Sequence, residues 1–254
     1  MAESVAIVTG ASSGIGRATA VRLARDFSAI VLVAREELGK VAAQIKGSGS
    51  RSLTLELDLK SPESARTIVA RTLAEFGRVD AVLNIAGAVG GFDLFQMTDE
   101  QWEDGMAVKF HSARRLTLRA WDCLKAAKGT VVFISGNTAV APRAASAAVG
   151  SINAAIEALA KAFADRGLED GVQVNSISPG AIMTPRRLSM LEKAAATRQV
   201  SVEETQRMFL EQARITRFGT AEEVAELMAF VVSPAMRWLT GTVLRIDGGE
   251  VKSV

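Results

Sequence analysis

An α/β fold, a doubly wound parallel sheet of about seven strands with helices on both faces, is what this sequence predicts. Three observations carry that prediction. Short runs of Val, Ile, Leu and Ala alternate along the chain with segments whose apolar residues recur at helical spacing. The first run, Val5-Ala6-Ile7-Val8, passes directly into a glycine-rich turn and then into a helical pattern from Arg17. Neither an internal repeat nor a linker breaks the alternation, so one domain is expected over residues 1–254.

The elements follow in order. Ala29–Ala34 is wholly apolar, as a strand covered on both faces must be, and a helical period runs over 36–46. A strand at 52–57 leads to a helix at 64–76. The strand 79–84 ends in Asn84, and 101–127 holds one or two helices. Then come a strand at 130–135, a long alanine-dense helix at 146–166, and a strand at 172–178 that meets Pro179. Residues 179–217 make an excursion before the last helix, 220–232, and the last strand, Val243–Ile246. Within that excursion, 185–215 mixes Met190, Leu191, Met208, Phe209 and Leu210 with charges. It reads as a helical lid over an apolar-walled pocket, or as ordinary packing.

Composition narrows the function classes. Thirty Lys and Arg against 28 Asp and Glu leave a net charge of only +2, which gives nucleic acid no reason to bind. The single cysteine, Cys123, excludes an internal disulfide and fits a reducing compartment. No basic-then-apolar leader opens the sequence and no uninterrupted apolar run reaches about 18 residues, so a cytoplasmic protein without a membrane partner is expected. One His and one Cys offer no metal site.

The turn Thr9-Gly10-Ala11-Ser12-Ser13-Gly14-Ile15-Gly16 is the first chemistry-bearing motif. Its glycines let a strand-to-helix turn lie tight against a pyrophosphate, with free N–H groups at the helix start. Four further segments keep it company: Asp58-Leu59, Asn84-Ile85-Ala86-Gly87, Pro179-Gly180-Ala181-Ile182-Met183-Thr184, and Thr240-Gly241 with Asp247-Gly248-Gly249. Together they resemble the short-chain dehydrogenase/reductase family over essentially the whole chain, which implies a Rossmann-type fold. The resemblance assigns cofactor contacts to Gly10, Ser12, Ser13, Gly14, Ile15, Gly16, Arg35, Asp58, Leu59, Asn84, Ala86, Gly87, Pro179, Gly180, Ile182 and Thr184. NAD-preferring members carry an Asp where this chain has Ala34, and Arg35 beside it offers a guanidinium to a 2′-phosphate. NADP(H) is therefore expected over NAD(H).

The catalytic positions depart from that family. Its members use a Tyr-x-x-x-Lys pair, a Ser and an Asn, yet this chain contains no tyrosine. With the register fixed by Asn153-Ala154-Ala155-Ile156-Glu157 and by Pro179-Gly180, the Lys position holds Asn153, the Tyr position Val149 and the Ser position Gly136. The Asn position, in Met106-Ala107-Val108-Lys109-Phe110, holds Lys109. Lys and Asn have thus exchanged places. Lys109 reads as an electrostatic stabiliser or acid that reaches the vacated tyrosine pocket, or as drift that leaves it solvated or bonded to backbone carbonyls.

Asn153, Ser135 and His111 are further candidates: Ser135 as donor to a substrate carbonyl or as a plain strand-end hydroxyl, His111 as replacement acid or as a contact residue. Arg143, Arg186 and Arg187 lie on the loops that would frame a small substrate, and hint at an anionic or acyl ligand, or are solvated loop charge. By resemblance the alanine-dense helix would pack on a symmetry mate, giving a homotetramer or homodimer. Three functions follow: an NADP(H)-dependent oxidoreductase of non-standard mechanism, an inactive nucleotide-binding homologue serving as sensor or oligomer partner, and a non-redox enzyme on the same fold.

Overall fold

A computed structural model describes residues 3–87, 89–90 and 93–252. Its centre is a seven-stranded sheet in the order β3-β2-β1-β4-β5-β6-β9, every pairing parallel. The strands are β1 Val5–Thr9, β2 Ala29–Ala34, β3 Arg51–Glu56, β4 Ala81–Asn84, β5 Thr130–Ile134, β6 Gln173–Pro179 and β9 Val243–Ile246. Reversal of the strand order beside β1 opens a crevice at the carboxyl edge between β1 and β4. β1, β2, β4 and β5 are buried throughout, which is why they are mostly apolar without alternation, and β6, equally buried, carries Gln173, Asn175, Ser176 and Ser178 among its apolar residues.

Helices α1 Gly14–Leu23, α2 Gly39–Gly47 and α9 Ala221–Val232 cover one face. On the other lie α3 Pro62–Phe76, α5 Ser112–Ala127 and α6 Ala147–Asp170. Ala144–Asp170 is long and apolar enough by composition to cross a membrane, although no such run was expected. Its Ile152, Ile156, Ala160 and Ala164 are buried in the protein, as in a core helix.

The element boundaries differ from the sequence reading where the backbone turns left-handed. α2 starts at Gly39 rather than at 36, since Glu37 sits at φ 66° and cannot be part of a helix. α6 continues to Asp170, where Gly171 at φ 72° caps it. Between 99 and 127 the chain is helical without a break, but in three pieces: α4 Asp99–Gly105, a π-helical turn Met106–His111, and α5. The 185–215 region forms two helices, α7 Pro185–Arg198 and α8 Val202–Ala213. A short pairing of β7 Ile182–Met183 with β8 Gly219–Thr220 anchors them.

Candidate active site

Strand β1 delivers the glycine turn to the crevice. Thr9 ties it there: its hydroxyl oxygen accepts from Ile85 N at 2.9 Å and Ala86 N at 3.0 Å, and its proton goes to Leu83 O at 3.3 Å. Gly10, at φ 68°, runs so close to Ala86 that a Cβ would stand 3.0 Å from its Cα. A Cβ at Gly16 would lie 2.1 Å from Gly10 O, so only glycine lets α1 begin hard against the strand. The first helical bond is Arg17 N to Ser13 O at 3.1 Å, leaving the N–H groups of 14–16 outside the ladder and facing the turn.

Of the other expected cofactor residues, Arg35 stands exposed just past β2 beside buried Ala34. Asp58 is exposed and accepts from Lys60 N at 3.0 Å, while Leu59 is buried. Asn84 is buried and donates to Thr117 Oγ1 at 3.0 Å. Gly180 is pinned by its N–H to Ile246 O at 3.0 Å, and Thr184 caps α7 by accepting from Arg187 N at 3.2 Å. Arg17 donates to Gln44 Oε1 at 3.3 Å, along a groove of about 390 Å³ between α1 and α9.

Lys109 and Asn153 meet directly. The π-helical turn carries Lys109 inward, where it is only 7 % exposed. Its stem passes Gly87, at which a Cβ would come within 2.8 Å of Lys109 Cγ. The ammonium donates to Asn153 Oδ1 at 2.5 Å and to the Ser135 carbonyl at 3.1 Å. Asn153 in turn donates from Nδ2 to Thr138 Oγ1 at 2.8 Å. A Cβ at Gly136 would stand 2.8 Å from that same Nδ2, so the missing side chain at 136 is what makes room for the amide. Burial pushes the Lys109 ammonium down from its ordinary 10.5 to about 8; Arg186 acts in the same direction and Glu157 opposes them.

For three candidates the geometry bears on which of the two readings given above applies. Lys109 is not solvated; its ammonium is bonded to Asn153 and to one backbone carbonyl. Ser135 is no free donor, because its hydroxyl gives its proton to Glu157 Oε1 at 2.6 Å, with Ile177 O 3.3 Å away. His111 has a buried Nδ1 with no hydrogen-bond partner among the described residues, and burial foremost, then Arg115 and Arg114, hold its pKa below the usual 6.5.

Val149, in the tyrosine position, joins an apolar cluster with Val89, Ala148, Ile152, Trp102 and Met106. Arg186 donates to Val89 O at 2.5 Å and so ties α7 to the loop after β4. Arg187 stacks its guanidinium 5.1 Å over Phe209 of α8, and Arg143 is exposed. The sequence reading missed Thr138 and Glu157. Glu157 was accessible to it, one helical turn after Asn153; nothing in the sequence singles out Thr138. Among the described residues no group of His, Cys, Asp and Glu could hold a metal.

Residues 10–250 match the family described as enoyl-(acyl carrier protein) reductase. The short-chain reductase protein NovJ of Streptomyces niveus is 30 % identical over 250 residues, covering 98 % of this chain and 94 % of that one. The 3-oxoacyl-[acyl-carrier-protein] reductase FabG of Escherichia coli is 30 % identical over 250 residues, with 96 % of each covered. The L-sorbose reductase of Gluconobacter frateurii, solved with NADPH and L-sorbose, superposes with a TM-score of 0.95 at 27 % identity, over 100 % of this chain and 98 % of that one.

Proposed function

The chain belongs to the short-chain dehydrogenase/reductase family, and from that premise we propose an NADP(H)-dependent oxidoreductase that reduces a small or acyl substrate without a tyrosine. The contact between Lys109 and Asn153 carries the proposal. A buried ammonium is expensive, several kcal/mol unless acceptors hold it. Here two acceptors do, and both belong to the expected catalytic neighbourhood. Drift offers no reason to bury a lysine opposite the position that lost one.

The chain's residues fit a nicotinamide nucleotide. The glycine turn and the open N–H groups of 14–16 suit its pyrophosphate, and Arg35 beside Ala34 suits a 2′-phosphate. The NADPH in the sorbose reductase complex supports the same preference. When bound, the reduced nicotinamide supplies a hydride. As the substrate carbon takes it, negative charge grows on the attached oxygen, and the positive potential of Lys109 favours that charge. What is missing is the positioned acid, whose loss slows reaction by about 10²–10⁴-fold. Activated carbonyls and activated double bonds are therefore the fitting substrates, and unactivated ketones are not. Arg143 is the loop cation left to meet an anionic group on them. The exposed alanines of α6, Ala154, Ala158 and Ala162, suit close packing on a second copy in the cytoplasm.

Fluorescence titration with NADPH and NADH tests the reading. NADPH binds at least about tenfold more tightly, the scale of losing a charge-assisted phosphate contact, and Arg35→Ser removes the difference. Equal affinities would remove Arg35 from the site, and no binding of either nucleotide would remove the reductase reading.

A further inference from the structure

We propose that the Thr138 hydroxyl is the hydrogen-bond donor to the substrate oxygen, held in place and polarised by Lys109 through Asn153. The proposal rests on the reductase reading and assigns the residue that touches substrate there.

The direction of each hydrogen bond forces it. A lysine ammonium can only donate, so the oxygen of the Asn153 amide must face Lys109, as it does at 2.5 Å. The amide nitrogen is thereby turned the other way, onto Thr138 Oγ1 at 2.8 Å. An amide N–H can only donate, so Thr138 accepts, and its own proton must go elsewhere. Among the described residues that proton meets no acceptor. The chain of bonds therefore starts at a buried positive charge and ends on an O–H that no acceptor among the described residues takes. Each link sharpens the next, since a charge on the amide oxygen makes its N–H a stronger donor and the hydroxyl it feeds more acidic.

The same geometry explains the glycine at 136. Any side chain there would press on Asn153 Nδ2, with its Cβ at 2.8 Å. The bare backbone at 136 thus leaves the Asn153 amide its bond to Thr138, and a hydroxyl appears two residues further along the same loop. Thr138 sits half-buried on the short turn Asn137–Ala139, just past the carboxyl end of β5, where ligands of such sheets bind.

The step is a stabilisation, not a proton transfer. The substrate carbon receives the hydride of the reduced nicotinamide, its π electrons move onto oxygen, and Thr138 donates a hydrogen bond to that oxygen while keeping its proton. Water then protonates the oxyanion. Asn153 passes on polarisation but no proton, and is a positioning residue.

Two readouts test this on the full chain and on its Thr138→Val and Thr138→Ser variants, with NADPH affinity and melting followed in each. In the first, 2,3-butanedione serves as an activated carbonyl: Thr138→Val lowers kcat about 10²-fold, the scale of losing one oxyanion donor, while Thr138→Ser recovers most of it and NADPH affinity stays unchanged. The second needs no turnover. The infrared stretch of carbonyl-labelled acetone is recorded with and without NADP⁺; it moves to lower frequency on the wild-type chain and on Thr138→Ser, and not on Thr138→Val. A Thr138→Val variant that keeps the wild-type kcat or shift, or a wild-type chain that produces no shift, overturns the proposal. A chain that binds no nucleotide overturns the reductase reading instead, and the infrared result without NADP⁺ still decides Thr138.

Discussion

At the residue in question, Lys109, charge and burial pull in opposite directions, and pH separates them. Its ammonium loses its proton near 8 in the folded protein against an ordinary 10.5. If the charged form is the working one, activity holds below pH 8 and falls above it. Between about 8 and 10.5 the unfolded chain keeps a proton that the folded chain has released, so stability rises with pH over that window. Activity and melting temperature should therefore move in opposite directions from pH 8 to 10, a pattern that parallel kinetic and thermal scans would reveal. Lys109→Met flattens both trends and abolishes turnover while leaving NADPH affinity nearly unchanged, because the phosphate contacts lie elsewhere. An active Lys109→Met variant would return the lysine to drift. The replaced positions could be counted off the sequence from Pro179-Gly180. Their bonding could not, since which partner captures the Ser135 hydroxyl depends on a side chain, Glu157, brought in by α6.

For the elements, what holds α5 to the end of α6 is a single carboxylate. Asp170 accepts from Trp121 Nε1 at 2.8 Å, Lys125 Nζ at 2.5 Å and Arg166 Nε at 2.8 Å. Those donors, Lys125 first, hold its pKa far below the usual carboxylate range. A depressed carboxylate stabilises the fold above the unfolded value of about 4 and loses that contribution as pH falls below it. Asp170→Asn should lower the melting temperature at pH 7, and the gap to wild type should shrink steadily below pH 4; an unchanged gap at pH 3 would show that the ion pairs contribute nothing. Element type was legible because strands buried on both faces need unbroken apolar runs, as in Ala29–Ala34. Element ends were less so. Glu37, Lys128, Gln199 and Arg214 take positive φ without being glycine, and the π-helical turn at Met106–His111 has no signature in composition.

Across the whole molecule, the order of strands gathers the turn after β1, Arg35 after β2, Gly87 after β4 and Thr138 after β5 at the carboxyl edge of the seven-stranded sheet, while Lys109 and Asn153 come in from helical segments. That convergence was readable in advance, because a parallel sheet leaves its ligands only the carboxyl edge. The engagement of the loops with one another was not: Arg186 reaches Val89 and Arg187 reaches Phe209, so two of the three cations expected to meet substrate brace the lid instead.

The fit of Asn153 against Gly136 and Lys109 also couples the three positions to one another. Restoring Ser at 136 alone brings a Cβ to 2.8 Å from the Asn153 amide nitrogen, which must then shift off its bond to Thr138. Restoring Lys at 153 alone sets a second ammonium against Lys109 in a buried space. Lys109→Asn meets neither obstacle. Thermal melts of the three single variants should rank Lys109→Asn as the mildest. Equal melting of all three would mean that the positions changed independently. The site is then one shared amide: what changes at any of the three positions is felt at the other two.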